Sequence, residues 1–212
     1  MGGSMNRSTV HAVARAAIAI VVLFAIAYQA WSLFEAGFFR PLRFFAFFTI
    51  LSNLFGAAVF LALAIRRGRT RTRTFDFLRG AAVVYLMVTL VVVLVLLSGA
   101  ELQVAVPWVD LLVHRVFPII VLIDWLIDPP AHDLRVRDVL WWLAFPIVWL
   151  VVTLIRGAVD HWYPYPFLDP ANGGYRSVAF FIGMIVAGFL VIGGAVNAVS
   201  DVLRERARRR LA

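Results

Sequence analysis

Apolar residues gather in long runs along this chain, and the polar positions fall between the runs instead of alternating within them. Crossing a hydrocarbon core of ~30 Å takes roughly 20 helical residues at 1.5 Å each. Six stretches qualify as spans: Ala12 to Phe34, Phe44 to Ile65, Leu78 to Leu97, Val109 to Ile127, Val139 to Ile155 and Val178 to Val199. The pattern predicts an all-α fold, a polytopic membrane protein built as a bundle of six transmembrane helices. Residues 1–4 read as an expression remnant ahead of a native start at Met5, leaving residues 5–212 as a single transmembrane helical domain. The first run follows Arg7 and Arg15 as the core of a signal peptide would. It is too long for one and has no small-residue cleavage site, so it is read as a retained helix. Pro146 sits inside the fifth and shortest run, where it should leave a carbonyl unpaired and bend the helix. No internal repeat is evident, which argues against transporters built from duplicated halves.

Composition strengthens this picture. The chain is 63% hydrophobic with a mean hydropathy of +0.90, well above the roughly 45–50% apolar share of soluble proteins. Its net charge of +8 comes from arginine, with no lysine. Most of that charge lies in Arg66-Arg67-Gly68-Arg69-Thr70-Arg71-Thr72-Arg73 and in the tail from Arg204 to Arg210. The positive-inside bias places both on the cytoplasmic side, with N and C termini in the cytoplasm and the chain in the cell membrane as a multi-pass protein. The connection from Gly99 to Pro107, with Glu101 and no base, fits the outer side, and that from Asp128 to Asp138, with Arg135 and Arg137, fits the inner. Arg40 and Arg43 in the first connection run against the bias. Topology thus accounts for the positive charge without nucleic acid, and the Arg-Thr run reads as a solvated topology signal that touches anionic headgroups. The absence of cysteine excludes disulfides and thiolate chemistry. Four histidines with no i, i+4 pair give no metal site, and nothing calls for a cofactor.

Polar groups inside a span are costly unless paired, so function is sought there. The second span carries Thr49, Ser52 and Asn53 on one helical face, and the fourth carries His114, Arg115 and Asp124. The third offers Tyr85 and Thr89, and the sixth Asn197 and Ser200 near its cytoplasmic end. In the six-span topology the second and fourth helices both start at the outer surface. Thr49 lies five residues past Phe44 and His114 five past Val109, so each sits roughly 7–8 Å inside. A hydroxyl and an imidazole at one depth suit a nucleophile and its general base. Asp110, one turn before His114, can orient the ring or mark the helix entrance. The bland readings are a Thr that bonds the preceding turn, an Asn that glues helices and a packing His. Asp124, close to the cytoplasmic edge, is expected to pair with Arg66 or meet water. Asp160 and His161 are alternative site residues in the external loop, and His132 with Asp133 lies on the wrong side to meet Thr49.

Three segments carry a resemblance. Phe47-Phe48-Thr49-Ile50-Leu51-Ser52-Asn53-Leu54, then His114-Arg115-Val116-Phe117-Pro118 with Ile123-Asp124-Trp125, then Arg156-Gly157 and Trp162-Tyr163-Pro164-Tyr165-Pro166-Phe167-Leu168-Asp169, resemble the bacterial Pr6Pr membrane proteins. That group is similar to the eukaryotic FAR-17a/AIG1-like family, with the androgen-induced protein and the androgen-dependent TFPI-regulating protein. The likeness covers nearly the whole chain in order. It implies hydrolysis of fatty acid esters of hydroxy fatty acids by an intramembrane threonine nucleophile and a histidine, which fall on Thr49 and His114. The Ser52-Asn53 pair follows the bacterial pattern, and the segment between Thr49 and His114 is shorter than in the eukaryotic relatives. The expected function is an intramembrane lipid ester hydrolase, a threonine hydrolase of lipid metabolism. Its substrate would be a lipid or fatty acid ester, its other partners the membrane lipids. Ser52 and Asn53 are candidates for positioning the carbonyl or stabilising the oxyanion, and Tyr163 and Tyr165, with Trp162, for capping the pocket. The alternative is a non-catalytic lipid-binding or signalling protein that holds a headgroup with the same residues.

Overall fold

The structure is a computed structural model that describes residues 7–97 and 106–209, and these are helical with no strand among them. Helix α1 (Arg7–Glu35) is followed by the short α2 (Pro41–Phe44), then α3 (Phe48–Ile65) and α4 (Arg73–Leu96). After them come α5 (Pro107–Leu111), a π turn (Leu112–Val116) and α6 (Phe117–Ile127), then α7 (Val136–Trp142) and α8 (Ala144–Asp160). Two 3₁₀ turns (Pro166–Leu168 and Pro170–Asn172) lead into α9 (Gly174–Arg209). Five stretches are long and apolar enough to cross a membrane: those of α1, α3, α4, α7 with α8, and α9. The remaining apolar run, Val109 to Ile127, is helical along its whole length but in three pieces, α5, the π turn and α6. The expectation for the connection holding Glu101 falls largely on residues outside the described ones.

Helix α4 sits at the centre, against α3, α6, α7 and α9, while α1 covers α3. Its run Ala81, Ala82, Val83, Val84 is buried to within 2%. Small and β-branched side chains there let the neighbouring backbones come close, the usual basis of helix association in a membrane. The outward faces are apolar: Ile147, Val148, Val151, Val152 and Ile155 of α8 and Ile20, Phe24 and Trp31 of α1 are all exposed. Such a belt suits lipid and not water, as expected of a multi-pass membrane protein.

Two prolines shape the bundle. Pro146 has no N–H for the carbonyl of Trp142, one turn earlier, and the chain breaks between α7 and α8 at Leu143. The Tyr85 hydroxyl replaces the missing donor, bonding Trp142 O at 2.9 Å. Pro118 likewise cannot serve the carbonyl of His114, and the π turn lies just ahead of it. There the Phe117 N–H reaches back to Leu112 O instead of Val113 O. Val113 O is thereby freed, and Asn53 Nδ2 donates to it at 3.0 Å.

A buried ionic network closes the end of the bundle opposite Thr49. Asp124 is bound by Arg15 (Nε to Oδ1, 2.7 Å) and Arg79 (Nη2 to Oδ2, 3.0 Å), and not by the expected Arg66. Asp128 accepts from Arg15 at 2.6 Å and lies 3.1 Å from Arg71. Asp76, fully buried, accepts the N–H groups of Ala131 and His132, each at 2.9 Å, and so fixes the link from α6 to α7.

Candidate active site

Thr49 lies in the first turn of α3, where backbone N–H groups have no partner within the helix. Its side chain is 5% exposed, and its Oγ1 stands 3.1 Å from Nε2 of His114, itself 7% exposed. The π turn carries His114 and sets the side of the helix from which the ring projects. The other ring nitrogen, Nδ1, faces Asp110 alone: the backbone O at 3.2 Å and carboxylate Oδ1 at 2.6 Å, the latter close but not aligned as a hydrogen bond. Both are acceptors, so the proton of a neutral imidazole belongs on Nδ1. Nε2 is then left to accept from the Thr49 hydroxyl. Arg115 stays half-exposed, 3.7 Å from the second oxygen of Asp110.

Tyr165 completes the group. Its hydroxyl accepts the Thr49 N–H at 3.3 Å and lies 3.4 Å from Thr49 Oγ1, to which it donates if the Thr49 proton points to His114. The ring is held by stacking on Phe167 at 5.2 Å and by edge contacts with Phe47 and Trp149. Burial pushes this phenol above its ordinary value, although its hydrogen bonds with Thr49 pull the other way, so it stays protonated at neutral pH. The turn beyond it is tied by Asp169 Oδ1 accepting the Ala171 N–H and by Asn172 Nδ2 donating to Pro166 O.

Ser52 and Asn53 stand behind Thr49, fully buried. Both donate to the Thr49 carbonyl, at 3.1 and 2.8 Å, and neither lines either of the two cavities that meet at Thr49. Ser52 also meets Thr89 Oγ1 at 3.2 Å, and Thr89 bonds back to Tyr85 O. Tyr163 lies against Gly157 of α8: a Cβ at that glycine would come 2.0 Å from its ring. Of the alternative site residues, Asp160 pairs with Arg156 and His161 caps α8 in the left-handed region at φ 52°. His132 bonds Asp76 at the opposite end.

Two cavities meet at Thr49 and Tyr165. The larger, about 370 Å³, is walled by His114, Phe47, Trp162 and Tyr163 and carries Gln29, Asp169 and Asn172 as further polar groups. The other is a narrow apolar slot of about 70 Å³ among Phe48, Val92, Trp149, Ile185 and Phe189. It reaches Ile147, which is half-exposed on the lipid-facing side of α8.

No protein-family description, characterised protein or solved structure matches the chain. The site therefore rests on its own geometry. A hydroxyl with an imidazole acceptor, an acid behind the imidazole and a phenol beside the hydroxyl are the parts needed to activate an oxygen nucleophile. Gln29, absent from the polar residues expected to matter, joins this group at the cavity wall. It is 6% exposed, its Oε1 has no hydrogen-bond partner among the described residues, and it lines the larger cavity. A single amide within the apolar run of α1 was the available signal.

Proposed function

We propose that this chain is an intramembrane lipid ester hydrolase with Thr49 as nucleophile and His114 as general base. The observation that carries the reading is the 3.1 Å approach of Thr49 Oγ1 to His114 Nε2 at the junction of a polar cavity and an apolar slot. In this reading all six apolar runs cross the cell membrane, with both termini cytoplasmic, so the site opens toward the outer leaflet. The acyl chain of the substrate enters between α8 and its neighbours along the slot and brings its carbonyl to Thr49.

His114 takes the proton of Thr49 Oγ1 as that oxygen bonds to the carbonyl carbon. The carbonyl π electrons move onto oxygen, and the oxyanion accepts from the Tyr165 hydroxyl and from the Thr49 N–H at the positive end of α3. The carbon–oxygen bond to the leaving group then breaks, and the imidazolium gives its proton to the departing alkoxide. Water from the larger cavity repeats the sequence: His114 removes its proton, the acyl-threonine bond breaks and the acid leaves. Asp110 holds the ring and balances the imidazolium charge, while Ser52 and Asn53 brace the Thr49 backbone. The resemblance in the sequence suggests fatty acid esters of hydroxy fatty acids as substrates.

The test is turnover of such an ester by the purified protein in detergent. Thr49→Ala, Thr49→Val and His114→Ala should each lose about 10³-fold or more while remaining folded, and Thr49→Ser should keep measurable activity. No turnover by the unaltered protein across several lipid esters, or full turnover by Thr49→Val, would leave the lipid-binding alternative.

A further inference from the structure

At the opposite end of the bundle, the arginine-rich link between α3 and α4 forms a cleft. α3 ends at Ile65, and the link after it holds Gly68 in the left-handed region at φ 76°. The Arg66 guanidinium lies over the Phe75 ring, 4.4 Å from its centre, and Arg67 Nη1 donates to Thr9 Oγ1 at 3.1 Å, tying the link to α1. Between them a cavity of about 250 Å³ has Ala12, Leu63 and Phe75 among its apolar walls. Arg15, Arg66, Arg67, Arg69, Arg71 and His11 supply its charge or potential charge.

The charge balance of this cleft is uneven. Asp128 is the acid that lines it, and that carboxylate is already engaged by Arg15 and Arg71. Among the described residues Arg66, Arg67 and Arg69 have no carboxylate partner. A topology signal needs positive charge near the helix end but does not need it arranged around a cavity. Several arginines lining one concave space match the multiple oxygens of a phosphate group, which guanidinium groups bind through paired N–H donors. The neighbouring Ile65 is 81% exposed at the end of α3, a helix of membrane-spanning length, which sets the cleft at the level where headgroups lie.

We propose that the cleft bounded by Arg66, Arg67 and Arg69 at the α1, α3 and α4 end binds a phosphate ester. Lipid headgroups and soluble phosphate esters share that chemistry. Binding is measured by native mass spectrometry and calorimetry on the full chain in an uncharged detergent. Three probes separate the sources: dihexanoyl phosphatidic acid, glycerol 3-phosphate and dihexanoylglycerol, which lacks the phosphate. Phosphatidic acid should bind at least about tenfold more tightly than dihexanoylglycerol, and the preference should vanish in the double variant Arg66→Gln with Arg69→Gln. The double variant Arg137→Gln with Arg206→Gln removes the same charge elsewhere and should keep it. Glycerol 3-phosphate binding as well as phosphatidic acid assigns a soluble ligand to the cleft, and much weaker binding assigns a lipid. Equal binding of phosphatidic acid and dihexanoylglycerol overturns the proposal. So does an unchanged preference in Arg66→Gln with Arg69→Gln, or an equal loss in both double variants.

Discussion

Tyr165 is the residue whose role changes most between sequence and structure. As part of an aromatic, proline-rich connection it reads as a cap over a pocket. In the fold its hydroxyl is within 3.4 Å of both the nitrogen and the Oγ1 of Thr49, 116 residues away. That contact depends on the Phe167 stack and on the tied turn, which no local pattern encodes. The Thr49 and His114 pairing was legible because helix rise converts sequence position into depth, and two polar groups at one depth must find partners in a bundle. In the proposed hydrolase, removing the phenolic oxygen tests Tyr165 apart from Thr49. Tyr165→Phe should keep the aromatic packing, lower kcat by about 10²-fold, and shift KM by no more than a few-fold, as loss of one oxyanion donor does. A change confined to KM would make Tyr165 a wall of the pocket only.

Among the elements, the apolar runs announced the helices but not their defects. The break between α7 and α8 follows from Pro146, visible in the sequence, yet its repair by Tyr85 needs knowledge of which helix lies opposite. The π turn was not legible at all, since a run of apolar residues with one proline is equally consistent with a straight helix. It frees Val113 O for Asn53 and carries His114 to within hydrogen-bond distance of Thr49. Pro118→Ala restores an N–H opposite the His114 carbonyl, and a regular helix gains about 3 kcal/mol in propensity from such an exchange. Part of that gain is expected as a higher unfolding temperature, because the π turn can anneal. Turnover should nevertheless fall by 10-fold or more, on the order expected when a catalytic group moves by an ångström. An increase in both stability and turnover would show that the π turn is not what aims His114.

For the whole molecule, the long-range ionic network decides how the ends of α1, α4 and α6 are held together, and it was invisible beforehand. Arg15 reads as a base at the start of a retained first helix and Asp124 as a partner for Arg66 or water, because no local pattern links two residues 109 positions apart. Buried ion pairs contribute little net stability over apolar packing, but removing one partner leaves a charge stranded, at about 3–5 kcal/mol. Asp124→Ala removes the nearest carboxylate from Arg79 and leaves Arg15 with Asp128 alone, and should be among the most destabilising single changes. Asp128, at the end of α6, provides the pH-dependent version of this test. Burial alone would raise its carboxyl, but the hydrogen bond from Arg15 and the charges of Arg79, Arg71 and Arg15 outweigh burial and hold it below its ordinary value. A group depressed in the folded state binds its proton more readily when unfolded. Its stabilising contribution is therefore complete above the ordinary value near 3.8 and is lost as pH falls through the lower folded value. Thermal unfolding in detergent should find Asp128→Asn less stable than the unaltered chain at pH 6 and above, and the two midpoints should converge as pH drops below about 4. A gap that stays constant across that range would mean that the mutation acts through packing at the α6 end and not through the carboxylate charge.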